Sequence, residues 1–358
     1  MIRIRSLFGL QLFLGAALAC HDATAPSKPS LAVPLRDRIV FESNRADSLG
    51  DIFAMKLDGS DVVALTDQTT ADLCPALSPD GQHIAYYQKT VKDSTARFEI
   101  RSFSLVVMSA NGTQKRIISE MSFAGWGRCP FWSSDATHIG VLDWLEVGRP
   151  HTPTYYRFRV FQADGTLLQS FTASEEVGSI TFTPAGDRFL VGLSAYSFGP
   201  YDFRVSLLSF GGAESRLAPE GFAADWSQTA GKIAYGCSGI CLMNPDGTSQ
   251  VKIIASNASL PLFSPDGSLI AYSCNSAGFC FTTLDGKTTG PFSQAPLVGL
   301  AFPTGRTWAP DSRSLAFTCG NGPEDICLID RDGSNLRNLT QSPTFYDRNP
   351  SFSPLGAH

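Results

Sequence analysis

The chain has 358 residues, 43% of them apolar, with a formal net charge of −5 and a pI near 5.6. That balance leaves no basic patch and argues against nucleic acid as a partner, while the apolar share is ample for a core. The 32 glycines and 22 prolines demand many turns, and the apolar runs are short and rich in Val, Ile, Phe and Tyr, so the chain is predicted to be all-β.

Residues 1–20 stand apart from the fold. MIRIR supplies two arginines, LFGLQLFLGAALA supplies an apolar run too short to span a bilayer comfortably, and Cys20 follows. The residues Ala17, Leu18 and Ala19 before Cys20 resemble the lipobox of bacterial lipoproteins, which implies a Cys20 lipidated on its thiol. Cleavage by an ordinary signal peptidase is the alternative. Residues 21–37, opening HDATAPSKPSLAVP, are polar and proline-rich and read as a flexible tether. The expected location is outside the cytoplasm, periplasmic or surface-facing, held at a membrane (the outer membrane) through the lipid alone.

From residue 38 onward one hairpin recurs. LSPDGQHIAYYQ, FSPDGSLIAYSC and WAPDSRSLAFTC each give a strand, a tight turn and a second strand. The bulky apolar residue before each turn is Leu77, Trp132, Phe182, Trp226, Phe263, Trp308 and Phe352, at spacings of 55, 50, 44, 37, 45 and 44. A third strand then ends in a second turn, as in KLDGS, SANGT and NPDGT, and a fourth completes the unit. Asp-Gly and Asn-Gly tolerate the positive φ that two-residue hairpins require.

Four antiparallel strands at this period predict a β-propeller of seven four-stranded blades, with six as the runner-up. RIVFES (38–43) reads as a second strand and PSFSP (350–354) as a first strand. The C-terminal strand is therefore expected to complete the first blade and close the ring. The words DIFAMKLDGSDVVALT, DLCPALSPDG and DICLIDRDGSNLRNLT resemble the PD repeat of TolB-type periplasmic propellers over residues 38–354. The resemblance implies the fold, and a non-catalytic protein- or peptide-binding scaffold of the envelope. TolB carries in addition an N-terminal α/β domain, for which this sequence has no room, and is usually described with six blades.

Eight cysteines remain after Cys20. Cys237, Cys274 and Cys319 end second strands, and Cys241, Cys280 and Cys327 stand early in third strands, so Cys237–Cys241, Cys274–Cys280 and Cys319–Cys327 are expected to bridge directly opposed positions. Cys74 and Cys129 precede the proline of adjacent first strands and are expected to tie blade to blade. In the chain-entropy account the last bridge is worth roughly 4 kcal/mol and the shortest hairpin loop roughly 2 kcal/mol.

Chemistry is hard to find. There is no G-x-S-x-G elbow, phosphate loop or calcium loop, and each turn Asp has a sufficient task in accepting backbone N–H bonds, so no catalytic residue, metal or cofactor is expected. His83 and His138 follow first turns and read as solvated strand-start residues. Long second-to-third connections mark blades two to four, QKTVKDSTARFEIRSF, DWLEVGRPHTPTYYR and SAYSFGPYDF. They and a neighbouring loop supply the candidate partner-binding residues Trp126, Arg128, Trp144, Arg149, His151, Tyr155, Tyr196 and Tyr201, because aromatics with arginine suit interface centres. The expected protein is a monomer that docks an envelope protein or peptide on its loop face or channel mouth. A carbohydrate-binding module or a polysaccharide-lyase-type propeller is the alternative, the latter needing His83, His138 and His151 to converge.

Overall fold

Strand patterning explains the architecture. In HIAYY, Ile84 and Tyr86 pack with Val40, Ile52 and Leu77, while Ala85 and Tyr87 pack with Leu105, Ile139 and Val141. Alternate residues of one strand thus serve two different apolar layers, which is why the middle strands read as unbroken apolar runs. The computed structural model describes residues 31–352 apart from 36, 47–48, 68–69, 94–99, 122–127, 147–153, 174, 196–201, 256, 275–277, 293–304 and 321–322. Cys20 lies outside these residues.

Residues 31–352 build seven four-stranded antiparallel sheets, with no helix among the described residues. The inner strands are Asp347–Ser351 in blade one, Ala71–Leu77 in two, Phe131–Trp132 in three, Glu176–Phe182 in four, Ala224–Ser227 in five, Ala258–Phe263 in six and Arg306–Trp308 in seven. Blade one is closed by the C-terminal segment: Asp347–Ser351 pairs with Arg38–Ser43, joining the two ends of the chain's repeat. This is a seven-bladed β-propeller.

The core is divided into layers between neighbouring blades. Leu142, Phe158, Val177 and Phe189 fill the gap between blades three and four, and Ile39, Phe41, Ile326 and Leu328 fill that between seven and one. The second turn of each blade is wedged against its predecessor. Gly112 has φ +83, and a Cβ there would lie 2.4 Å from Leu65 O; Gly247, with φ +84, would meet Leu217 O at 2.9 Å. The recurring Asp-Gly therefore serves close blade contact as well as turn geometry.

The segment Leu31–Leu35, within the stretch read as tether, is docked. Leu35 is buried with Val40 and Ile84, Leu31 and Val33 pack beside it, and the Leu35 amide donates to Gly81 O at 2.9 Å. The long connections of blades two to four are in large part strand. The middle hairpins continue to Asp93 opposite Ile100, Glu146 opposite Thr154 and Ala195 opposite Asp202, so much of what looks like loop in the sequence is a prolonged ladder. The alternating apolar residues of TYYRFRV explain that extension.

Four cysteine pairs are bonded. Cys237–Cys241, Cys274–Cys280 and Cys319–Cys327 have Cα separations of 5.8, 5.8 and 5.9 Å. They are not directly opposed. Cys241 faces Tyr235, Cys280 faces Tyr272 and Cys327 faces Phe317, so each bridge runs diagonally to the residue two places further along the second strand. Diagonal neighbours share a sheet face, which lets the side chains meet. Cys74–Cys129 joins blades two and three with Cα atoms 4.9 Å apart.

Candidate functional site: the central channel and its loop-face rim

Inner strands in this fold do two jobs, holding their own blade and walling the axis. Several are kinked. The pairing register slips between Leu73 and Ala76, between Val177 and Ser179, and between Ser259 and Leu262. Cys74, Leu260 and Asn349 take φ of 60, 56 and 55, each three residues before the bulky repeat position. Such bulges turn backbone groups out of the ladder, and those groups need partners.

Neighbouring blades supply them. Glu42 Oε2 accepts the Cys74 amide at 2.9 Å, and Thr318 Oγ1 accepts the Asn349 amide at 3.2 Å. Ser351 Oγ accepts Leu77 N–H at 2.9 Å, and Asp225 Oδ2, at the equivalent repeat position, accepts Phe263 N–H at 2.7 Å. The indole N–H groups of Trp132 and Trp308 donate backward to Ala76 O and Leu262 O at 3.0 and 3.3 Å. The repeated bulky residue thus stitches blade to blade at Trp132 and Trp308.

These strands enclose a cavity of about 340 Å³, walled by residues from all seven of them or from the segments leading into them. Two arginines face it. Arg128 Nη2 donates to Val177 O at 2.5 Å and Gly178 O at 2.6 Å, across to blade four. Arg306 Nη2 donates to Leu260 O, across to blade six. Each therefore caps carbonyls at or beside a bulge. Burial pulls the Arg128 guanidinium down from its ordinary value and brings Arg306 to about 10, with Asp225 opposing the latter shift. Burial pushes the Asp225 carboxyl up.

Both arginines enter from the end of the strand where the chain arrives from the preceding blade, the loop face. On that face Phe345 and Tyr346 are 39% and 44% exposed, immediately before the inner strand of blade one. Arg348 lies over the Tyr346 ring at 5.9 Å and its Nε bonds Glu42 Oε1 at 3.0 Å.

Of the sequence candidates, Arg128 is placed in the channel wall. Trp144 and Tyr155 lie on the prolonged hairpin of blade three, where Trp144 is opposite Tyr156 and Tyr155 opposite Leu145. Trp126, Arg149, His151, Tyr196 and Tyr201 lie outside the described residues. His83 and His138 are half-buried at the tight-turn end, beside Trp132 at 6.3 Å and beside Phe182 and Phe210 at 6.2 and 6.0 Å. They are thus packed against rings, which revises the solvated reading. Among the described residues no group of three His, Cys, Asp or Glu is placed to hold a metal. Sequence reasoning missed Arg306, Asp225, Phe345 and Tyr346. The pair of aromatics in TFYDRN was the available signal for the last two.

No protein-family profile and no curated protein sequence matches the chain. Solved structures do. TolB from Acinetobacter baumannii superposes with a TM-score of 0.51 at 14% identity, covering 89% of this chain and 67% of that one. An oligogalacturonate lyase in complex with manganese gives 0.61 at 15% identity, covering 82% and 85%. An acylaminoacyl peptidase from Pyrococcus horikoshii gives 0.56 at 12% identity over 82% of this chain and 48% of that one, so here the chain spans about half the length of its neighbour. At these identities the likeness establishes the propeller fold.

Proposed function

We propose that this propeller is a non-catalytic docking protein of the bacterial cell envelope, exported, anchored through a lipidated Cys20, and monomeric. It takes a protein or peptide segment at its loop face and channel mouth. The observation that carries the reading is the exposed Phe345–Tyr346 pair beside Arg348, set directly before an inner strand of the channel. Exposed aromatics flanked by arginine are the composition that interface centres favour. The leader-like N-terminal sequence and the likeness to a TolB structure support the envelope setting. Among the described histidines, His83 and His138 pack beside aromatic rings at the tight-turn end and lend the lyase alternative no support.

The test is affinity capture from solubilised envelope with the wild type and a Phe345→Ser, Tyr346→Ser double variant. A protein held by the wild type and lost by the still-folded variant is the expected result. Equal capture by both removes the rim as the docking surface, and binding of a polysaccharide without any protein replaces the reading with a glycan-binding one.

A further inference from the structure

Arg128 and Arg306 are half-buried and lack the ion pairs that the buried Arg159 and Arg204 make. Arg204 shows the usual solution: its Nε donates to Glu214 Oε1 at 2.7 Å and its Nη2 to Glu175 Oε2 at 2.6 Å. The two channel arginines instead touch backbone carbonyls through one nitrogen each. The charges that face them are Glu176 toward Arg128 and Asp225 toward Arg306, and neither forms an ion pair with its arginine. Asp225 already accepts the Phe263 amide. Among the described residues the remaining guanidinium donors have no protein acceptor.

A carbonyl satisfies a hydrogen bond but does not neutralise the charge, and a half-buried cation without an ion-pair partner is costly. Asn, Gln or Lys could reach a carbonyl; a guanidinium in a cavity adds a planar fork suited to a carboxylate. The cavity, at about 340 Å³, is within the range of small-ligand sites. Apart from Asp225, its other lining is apolar or neutral and includes Pro75, Pro130, Pro261 and Pro350, so the wall is stiff around the two arginines.

We infer that the channel is a carboxylate-binding site in which Arg128 and Arg306 receive the acidic group of a ligand entering from the loop face. The inference rests on the docking reading for its setting, and it names the chemistry the docked segment presents: an acidic side chain or chain terminus. A free small carboxylate would offer the same group, so the two sources are separated by experiment.

The purified full chain is titrated calorimetrically with succinate, triglutamate and triglutamine at low ionic strength, the triglutamine being amidated at its C-terminus so that it carries no carboxylate. Triglutamate is expected to bind and to weaken as salt is added, while triglutamine does not bind. Arg128→Gln and Arg306→Gln variants with unchanged circular dichroism should bind at least about tenfold more weakly, and the corresponding Lys variants should retain more affinity. Triglutamine binding as well as triglutamate, affinity unchanged in folded Gln variants, or no carboxylate binding would each overturn the inference. If the Gln variants do not fold, the wild-type salt dependence decides, and an affinity indifferent to salt counts against it. Succinate bound with triglutamate refused keeps the carboxylate site and removes the peptide reading.

Discussion

At the residue scale the repeat is written in short hydrogen bonds. Asp58, Asp80, Asp246 and Asp266 each accept the amide two residues on, at 2.9 to 3.0 Å, closing the turn from its own side chain. Those bonds, with neighbouring hydroxyls and Arg331, hold Asp266 down at about 2 against the pull of desolvation. Asp72 is the opposite case. Its Oδ1 accepts from Thr70 and Gln88 at 3.1 Å, its Oδ2 has no hydrogen bond, and burial pushes its carboxyl up to about 6. The repeat-equivalent Asp347 is instead clasped by Arg45 Nη2 at 2.9 Å on both oxygens. A folded-state value raised from the ordinary 3.8 means that the folded protein holds this proton more tightly than the unfolded chain. Asp72 therefore adds stability as pH falls from about 6 toward 4, whereas Asp266 withdraws its own contribution as pH falls below about 4. Urea midpoints of wild type and Asp72→Asn, measured from pH 7 to pH 4.5, are expected to converge or cross, the wild type gaining more on acidification than the variant. Parallel curves would show that Asp72 is not the titrating group.

At the element scale, the turns and the bulges carry different information. Turn glycines are visible in sequence because L residues resist positive φ. Their second task, contact with the preceding blade, is invisible there because it depends on how closely two sheets approach. Gly112→Ala should cost about 2–4 kcal/mol, since left-handed strain is added to a clash with Leu65 O. Gly231, also at positive φ (+60), has nothing within 4 Å of a Cβ, so Gly231→Ala should cost about 1 kcal/mol. Chemical denaturation compares the two, and equal losses would contradict the close-contact account. The bulges at Cys74, Leu260 and Asn349 have no residue signature, three different side chains occupying one backbone state. That is why Arg306 and Asp225 were not singled out from sequence. Their meaning depends on a kinked neighbouring strand some forty residues away. The diagonal offset of the hairpin disulfides escaped for a related reason, because register within a ladder is set by the turn and not by cysteine spacing.

At the scale of the whole molecule, the seven-fold count and the closure of blade one by Asp347–Ser351 were legible, because turn chemistry recurs with the period of a blade. The site was legible in part. Arg128 was singled out as a loop-face residue and stands in the channel wall, and Phe345 and Tyr346 are exposed beside the inner strand of blade one. A ring of blades cross-stitched by Ser351, Asp225, Trp132 and Trp308 is stiff at its centre, and a stiff centre with exposed aromatics at its rim suits capture of a partner segment without large rearrangement. The outer strands offer a contrasting surface, with Leu167 and Leu168 51% and 37% exposed on the far edge of blade three. Placement of a photo-crosslinking residue at Tyr346 or at Leu168, in the living cell, separates the two surfaces directly. Docking at the loop face requires a discrete crosslinked partner from position 346 and none from 168; a partner captured from 168, with 346 silent, rules it out.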